Sequence, residues 1–178
     1  MMTAVAEIHV LANYDLGMIS SAFTEAGIPK PLSRFQEYFA EQQAGVRNCF
    51  IAKVESVFVG YLTVNWRPIY PPFAQAQIPE IQDLNVLPAF RRRGIANLLL
   101  DRAEEEIATK SEAAGISVGL HPGYNQAQRL YAKRGYVPDG LGVTYRNNFV
   151  TEGMQVILDD DLLLHLSKQL ERKSCVRK

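Results

Sequence analysis

Cysteine is nearly absent from this chain. The two that occur, Cys49 and Cys175, stand far apart and match no metal-ligand spacing, which excludes a zinc or disulfide framework and fits a reducing cytoplasm. Net charge is absent too: 19 lysines and arginines balance 19 aspartates and glutamates, so no overall field draws the chain to nucleic acid or a membrane surface. No run approaches the roughly 18 apolar residues of a membrane span. The opening MMTAVAEIHV lacks a basic stretch followed by a long apolar one, so neither export nor membrane spanning is expected. Repeats and low-complexity tracts are missing as well. What is there, 178 residues of which 47% are hydrophobic, suffices for one domain, 1–178, around a single core. The final ERKSCVRK, about 171–178, reads as a frayed basic tail.

Periodicity and punctuation supply the organisation. AEIHVLANY (6–14) alternates as an opening strand, and Asp15 is placed to cap a helix that stops at Gly27. A second helix begins with Pro31, carries Leu32, Phe35, Tyr38 and Phe39 along one face and closes at Gly45. Residues 49–67 are rich in β-branched and aromatic side chains with a break at Glu55-Ser56, the pattern of a hairpin. Four prolines make 68–79 a loop, and 80–87 a further strand. The longest helix runs from Gly94 to near Gly115, with Ile95, Leu99, Ala103 and Ile107 recurring every four residues. A short strand (116–121), a compact helix capped by Asn125 and stopped by Gly135, and a strand with a turn at PDGLG follow. The segment 159–170 reads as a last strand, exposed and able to pair two subunits. The order β-α-α-β-β-β-α-β-α-β-β describes a mixed α/β sheet.

One stretch, PEIQDLNVLPAFRRRGIA (79–96), is electrostatically odd. Three arginines precede a helix N-terminus that already carries partial positive charge, an arrangement costing roughly 0.3–1 kcal/mol per cation unless an anion compensates. The first-turn amides of Gly94, Ile95, Ala96 and Asn97 lack intrahelical acceptors and form an anion site with the helix dipole. A pyrophosphate there turns Arg91, Arg92 and Arg93 from a penalty into charge-assisted donors. Neither a GK[ST] nucleotide loop nor the spaced glycines of a dinucleotide fingerprint is present.

Together, IQDLNVLP, then RRRGIA in the pattern [QR]-x-x-G-x-[GA], then NQAQRLYAKRGY with its L-Y followed by G-[FY], resemble the GCN5-related N-acetyltransferase (GNAT) superfamily over about residues 80–136. The resemblance implies the acyl-coenzyme A N-acyltransferase fold: α/β, with a mixed, mostly antiparallel sheet, a splayed central parallel strand pair (81–87 and 116–121) and flanking helices. It implies acetyl-coenzyme A as donor and no metal. Its pyrophosphate would lie on the amides of Arg92 to Asn97, its pantetheine arm along the backbone of Leu84, Asn85 and Val86, and Asn125 would touch it from the second motif helix.

Amine attack on a thioester needs a neutral nucleophile, oxyanion stabilisation and a proton for the leaving thiolate. By the resemblance, Tyr131 is the general acid and the Val86 amide the oxyanion donor. Glu80 is the candidate base, with His121 as an alternative. Some relatives place an acid five residues before the motif asparagine, where this chain has Leu120. Asp83 lies on the face opposite Glu80 if the strand alternates without a bulge. Trp66, Tyr70 and Phe73 either line an aromatic acceptor pocket, with Glu80 or Asp83 attracting an amine's cation, or close the core; Tyr145 is open to the same two readings. The function implied is acetyl transfer to a primary amine in a ternary complex. The alternatives are an acyl-coenzyme A sensor or protein-interaction module of the same fold, and nucleic-acid binding through the arginine run.

Overall fold

The computed structural model describes residues 6–171; from residue 172 on, the basic tail lies outside the described residues. In chain order the elements are β1 (Glu7–Val10), α1 (Leu16–Glu25), α2 (Leu32–Gln43), β2 (Arg47–Val54), β3 (Val57–Asn65), α3 (Pro71–Ala76), β4 (Glu80–Val86), α4 (Ile95–Ile107), β5 (Ala113–Gly119), α5 (Asn125–Lys133), β6 (Val137–Tyr145), β7 (Asn148–Phe149) and β8 (Leu162–Gln169). They fall into two compact units, one formed by residues through Trp66 with Ile81–Glu106, the other by Arg67–Glu80 with the chain from Ile107.

In the first unit the strand order is β1-β2-β3-β4, and β1/β2 and β2/β3 are antiparallel. The β2–β3 turn falls at Glu55-Ser56, both at positive φ (48° and 69°), as a tight two-residue hairpin demands. The apolar faces of α1 and α2 close over the sheet with Phe23, Phe35, Tyr38, Phe58 and Tyr61 in mutual ring contact. Each fully buried aromatic there contributes roughly 1.5–3 kcal/mol relative to exposure. Asp15 sits ahead of α1 but does not cap it. Its carboxylate accepts from the Ala12 amide at 2.9 Å and from Lys53 Nζ at 2.7 Å, binding the chain entry to β2 instead.

β4 is held against β3 by a close approach at Gly60. A Cβ at that position would stand 2.6 Å from the Asn85 carbonyl oxygen and 3.3 Å from a Val86 methyl, so only glycine lets the two strands meet. Just before this contact β4 departs from regular extension: Asp83 has φ +53°. A left-handed non-glycine residue costs roughly 1–2 kcal/mol, and it ends the simple in-out alternation assumed for 80–87.

The second unit has the order β5-β8-β6-β7, all antiparallel. β8 is a strand, as its sequence indicates, but it lies between β5 and β6 with a ladder on each side, so it offers no free edge for pairing subunits. PDGLG is a register shift inside the single strand β6, between Pro138 and Val143. The proline-rich 68–79 is not all loop: Pro71 and Pro72 occupy the first turn of α3, where a missing N–H costs nothing. Gly115 does not stop α4. It lies within β5 under the Phe73 ring, which an added Cβ would overlap.

Gly60→Val is expected to lower unfolding stability by about 1–3 kcal/mol, the usual cost of overpacking. Urea unfolding measures it, and a change indistinguishable from zero would mean β4 is not pinned by that contact.

Candidate active site

The kink at Asp83 aims its carboxylate into the helices of the first unit. Oδ1 accepts from Lys30 Nζ at 2.9 Å and from Asn85 Nδ2 at 2.7 Å. Oδ2 accepts from the hydroxyl of Tyr38 at 3.0 Å and from that of Tyr61. Burial would raise the Asp83 carboxyl, but Lys30 and these donors outweigh it and hold it below the usual carboxylate range. Burial first, then the Asp83 charge, pushes both phenols up, so they stay protonated donors. Beside this cluster Arg47, itself buried, pairs with Glu41, donates to Thr63 Oγ1 at 2.8 Å and Gln82 Oε1 at 3.0 Å, and lies 4.8 Å from the centre of the Tyr38 ring. Gln82 and Asp83 are thus both fixed by side chains from α2, β2 and β3. Lys30, Tyr61 and Arg47 went unnamed in the sequence because their contacts span sequence separations that periodicity does not register.

Directly after β4, Arg91 turns back and its Nε donates to the Val86 carbonyl at 3.1 Å. Arg92 and Gly94 take positive φ (64° and 81°), Arg93 stacks over Phe90 at 5.2 Å, and α4 begins at Ile95. All three arginines and Gly94 are exposed, and the space a Gly94 Cβ would enter is open to 4 Å. Asn97 differs from the sequence reading, since its amide donates to the Gly94 carbonyl at 3.0 Å.

In the second unit Glu80 is buried, and Ser117 Oγ donates to its Oε1 at 2.5 Å. Ser117 Oγ also meets His165 Nδ1 at 2.8 Å, and His165 Nε2 meets Thr144 Oγ1 at 2.8 Å. With the single Ser117 proton given to Glu80, Nδ1–H must donate to Ser117, leaving Nε2 to accept from Thr144. Three bonds therefore run in one sense toward the carboxylate. Desolvation lowers the His165 pKa, which agrees with a neutral ring. The sequence signal for it is a lone histidine in the apolar run LLLHL.

Tyr70 and Phe73 pack inside this unit. Tyr70 stacks on His165 with centroids 3.5 Å apart and its hydroxyl donates to Asp139 at 2.6 Å, while Phe73 meets the same imidazole edge to face. Trp66 belongs to the first unit, where its indole N–H donates to Asn48 at 2.5 Å. Tyr145 donates to Asp159 at 3.2 Å. Tyr131 is buried in α5 with its hydroxyl pushed up by desolvation, then by Tyr124, so it remains a phenol at neutral pH. Asn125 is the exposed first residue of α5; the cap position falls one residue earlier, on Tyr124. His121 has both ring nitrogens engaged: Nδ1 accepts from the Gly123 amide at 3.1 Å, so Nε2–H donates to Asp160 at 2.8 Å. No group of three or more metal-ligating side chains occurs among the described residues, and no helix there is long and apolar enough to cross a membrane.

Solved structures of the same fold include N-acetyltransferases. An N-acetyltransferase from Staphylococcus aureus Mu50 superposes with a TM-score of 0.69 at 18% identity, covering 94% of this chain and 100% of its own. The acetyltransferase yncA from Salmonella typhimurium, solved with its cofactor acetyl-CoA, gives 0.67 at 17% over 97% and 98%. A spermidine N-acetyltransferase chimera from Vibrio cholerae and hSSAT gives 0.65 at 16% over 92% and 95%. No curated protein matches in sequence. The fold is that of acyl-transferring enzymes of mixed α/β class. The chain belongs to the acetyltransferase (GNAT) family, whose model matches residues 16–136.

Two shifted ionisable groups, His165 and Asp83, give stability a defined pH dependence. His165 is neutral in the native state, whereas the unfolded chain takes up a proton near the ordinary value of 6.5, so stability declines as pH falls below about 6.5 toward the lowered native value. Asp83 contributes stability above its ordinary 3.8 that is lost as pH falls through its depressed native value. Urea unfolding as a function of pH should resolve both limbs. His165→Gln should flatten only the first, and an unchanged first limb would show that His165 does not carry it.

Proposed function

We propose that the chain transfers an acetyl group from acetyl-coenzyme A to a primary amine by direct attack in a ternary complex, both units serving one acetyltransferase domain in a cytoplasmic setting. The observation that carries this reading is the exposed, glycine-opened start of α4, immediately after β4, in a chain of the GNAT family. The donor set there fits a pyrophosphate: open space above Gly94, first-turn amides and three exposed arginines. Because the Asn97 amide is engaged, the holding set reduces to the amides of Arg92, Arg93, Gly94, Ile95 and Ala96, with Leu84, Asn85 and Val86 offering backbone to the pantetheine arm. Asn125, exposed at the start of α5, remains an auxiliary contact. Acetyl-coenzyme A supplies the thioester-bound acetyl group.

The Val86 amide is the oxyanion donor in this reading and Tyr131, held as a phenol by burial, gives its proton to the departing thiolate. Glu80 receives the amine's proton. In this reading the proton goes to the carboxylate oxygen of Glu80 that does not accept from Ser117, so Ser117 still donates to Oε1, Nδ1–H to Ser117 and Thr144 to Nε2, and no buried charge is created. A second reading, an acyl-coenzyme A sensor without turnover, is favoured by one observation: Asp83 already has four internal donors.

One measurement tests how the cofactor is held and a second decides between these readings. In calorimetric titration with acetyl-coenzyme A, Gly94→Val, forced into a left-handed conformation that costs about 1–3 kcal/mol, should weaken binding more than Arg91→Ala; the reverse order would mean that side chains rather than amides hold the phosphates. Tyr131→Phe should slow thiol release across an amine panel by about 10²-fold or more with acetyl-coenzyme A binding retained. An unchanged rate would support the sensor.

A further inference from the structure

Three of the four donors to Asp83 come from packed elements: Asn85 from β4, Tyr38 from α2 and Tyr61 from β3. The fourth does not. Lys30 lies in the connection between α1 and α2, its carbonyl tethered by Ser20 Oγ at 2.9 Å and its side chain 23% exposed. Its ammonium stands 2.9 Å from Asp83 Oδ1, 5.5 Å from the centre of the Tyr61 ring and 5.7 Å from that of Phe23. A carboxylate with two aromatic faces is a receptor for a primary ammonium. Tyr38 and Tyr61 saturate Oδ2, so Oδ1, which also accepts from Asn85, is the oxygen that faces the cation. The group filling this cage is the end of a lysine, chemically an n-butylammonium, entering from a connection whose Gly27, Ile28 and Pro29 are exposed.

An ammonium held against an ionised carboxylate keeps its proton, and a charged nitrogen does not attack a thioester. The cage is therefore suited to holding an acceptor by a cation that is not the one acetylated. Taking the acetyl-transfer reading above as its basis, we infer that Asp83, with Phe23 and Tyr61, is an anchoring site for a second primary ammonium of the acceptor, that the acceptor enters by displacing Lys30, and that it is an unbranched diamine or polyamine. Arg47 and Glu41 keep the Tyr38 side of the cage electrically paired, so Lys30 is the cation to exchange.

The test uses n-butylammonium and 1,4-diaminobutane as probes on the full chain. By calorimetry or NMR titration, Lys30→Ala should bind both up to about fivefold more tightly than the wild type, the worth of one partly exposed ion pair, and adding Asp83→Asn should remove the gain. In acetyl-coenzyme A assays, 1,4-diaminobutane should be acetylated with a lower KM in Lys30→Ala, and n-butylammonium should inhibit competitively without being acetylated at a comparable rate. A lysine amide with a blocked α-amine, carrying a single ammonium, should behave as n-butylammonium does. Equal affinity in wild type and Lys30→Ala, a gain that survives Asp83→Asn, or acetylation of n-butylamine as efficient as that of the diamine overturns the inference. Lys30→Ser serves if the alanine variant does not fold. If no amine is acetylated yet the affinity gain appears, the acetyl-transfer reading falls and the ammonium site stands; turnover without the gain keeps acetyl transfer and removes the ammonium site.

Discussion

The carboxylate of Asp83 is the constraint around which the first unit is arranged. It sits on a residue forced to φ +53° in the middle of a strand and is removed from much of its solvent, two costs that a random strand position would not tolerate. They are tolerated because the aromatic core of α1, α2, β2 and β3 places two phenols and an amide where the oxygens need donors. The core and the polar cluster are not separate features: Tyr38 and Tyr61 belong to both, apolar by their rings and polar by their tips. The geometry of β4 at Leu84–Val86 is set by what happens one residue earlier, and Gly60 is the counterpart that lets the strand lie close enough to be held.

The second unit solves a different problem. Glu80 and His165 are both nearly solvent-free, and a single charge among them is made acceptable by three hydrogen bonds that all point the same way. Tyr70 seals the imidazole by stacking and is itself tied to Asp139, so the ring at the centre of this hydrogen-bond chain is held from a face as well as from its edges. Such a chain fixes the Ser117 hydroxyl and the imidazole tautomer together, each group donating to the next and accepting from the one before.

Much of the architecture is legible in the chain because punctuation marks it. Glu55-Ser56 sets the hairpin, Gly135 ends α5, and RRRGIA announces the start of α4. The exceptions have identifiable reasons. Prolines suggest a loop where two of them open α3, and Gly115 suggests a stop where it makes room for Phe73, since a glycine's packing role leaves no local trace. At the site, alternation finds the strand carrying Glu80 and Asp83, but not the left-handed kink that separates their environments. The donors Lys30, Tyr61, Ser117 and His165 come from remote segments, and pairings over such separations are decided by tertiary packing rather than by spacing.

The position of β8 bears on how the chain acquires its structure. Because residues 162–169 lie between β5 and β6, the edges those two strands turn toward each other stay unpaired until a segment made some forty residues after β5 arrives to join them. During synthesis, the facing edges of β5 and β6 therefore wait unpaired, while the β2–β3 hairpin of the first unit, joined by the two-residue turn at Glu55-Ser56, can close early. His165 rides in on that last strand, so the chain of hydrogen bonds from Thr144 through His165 and Ser117 to Glu80 closes only when the second sheet does.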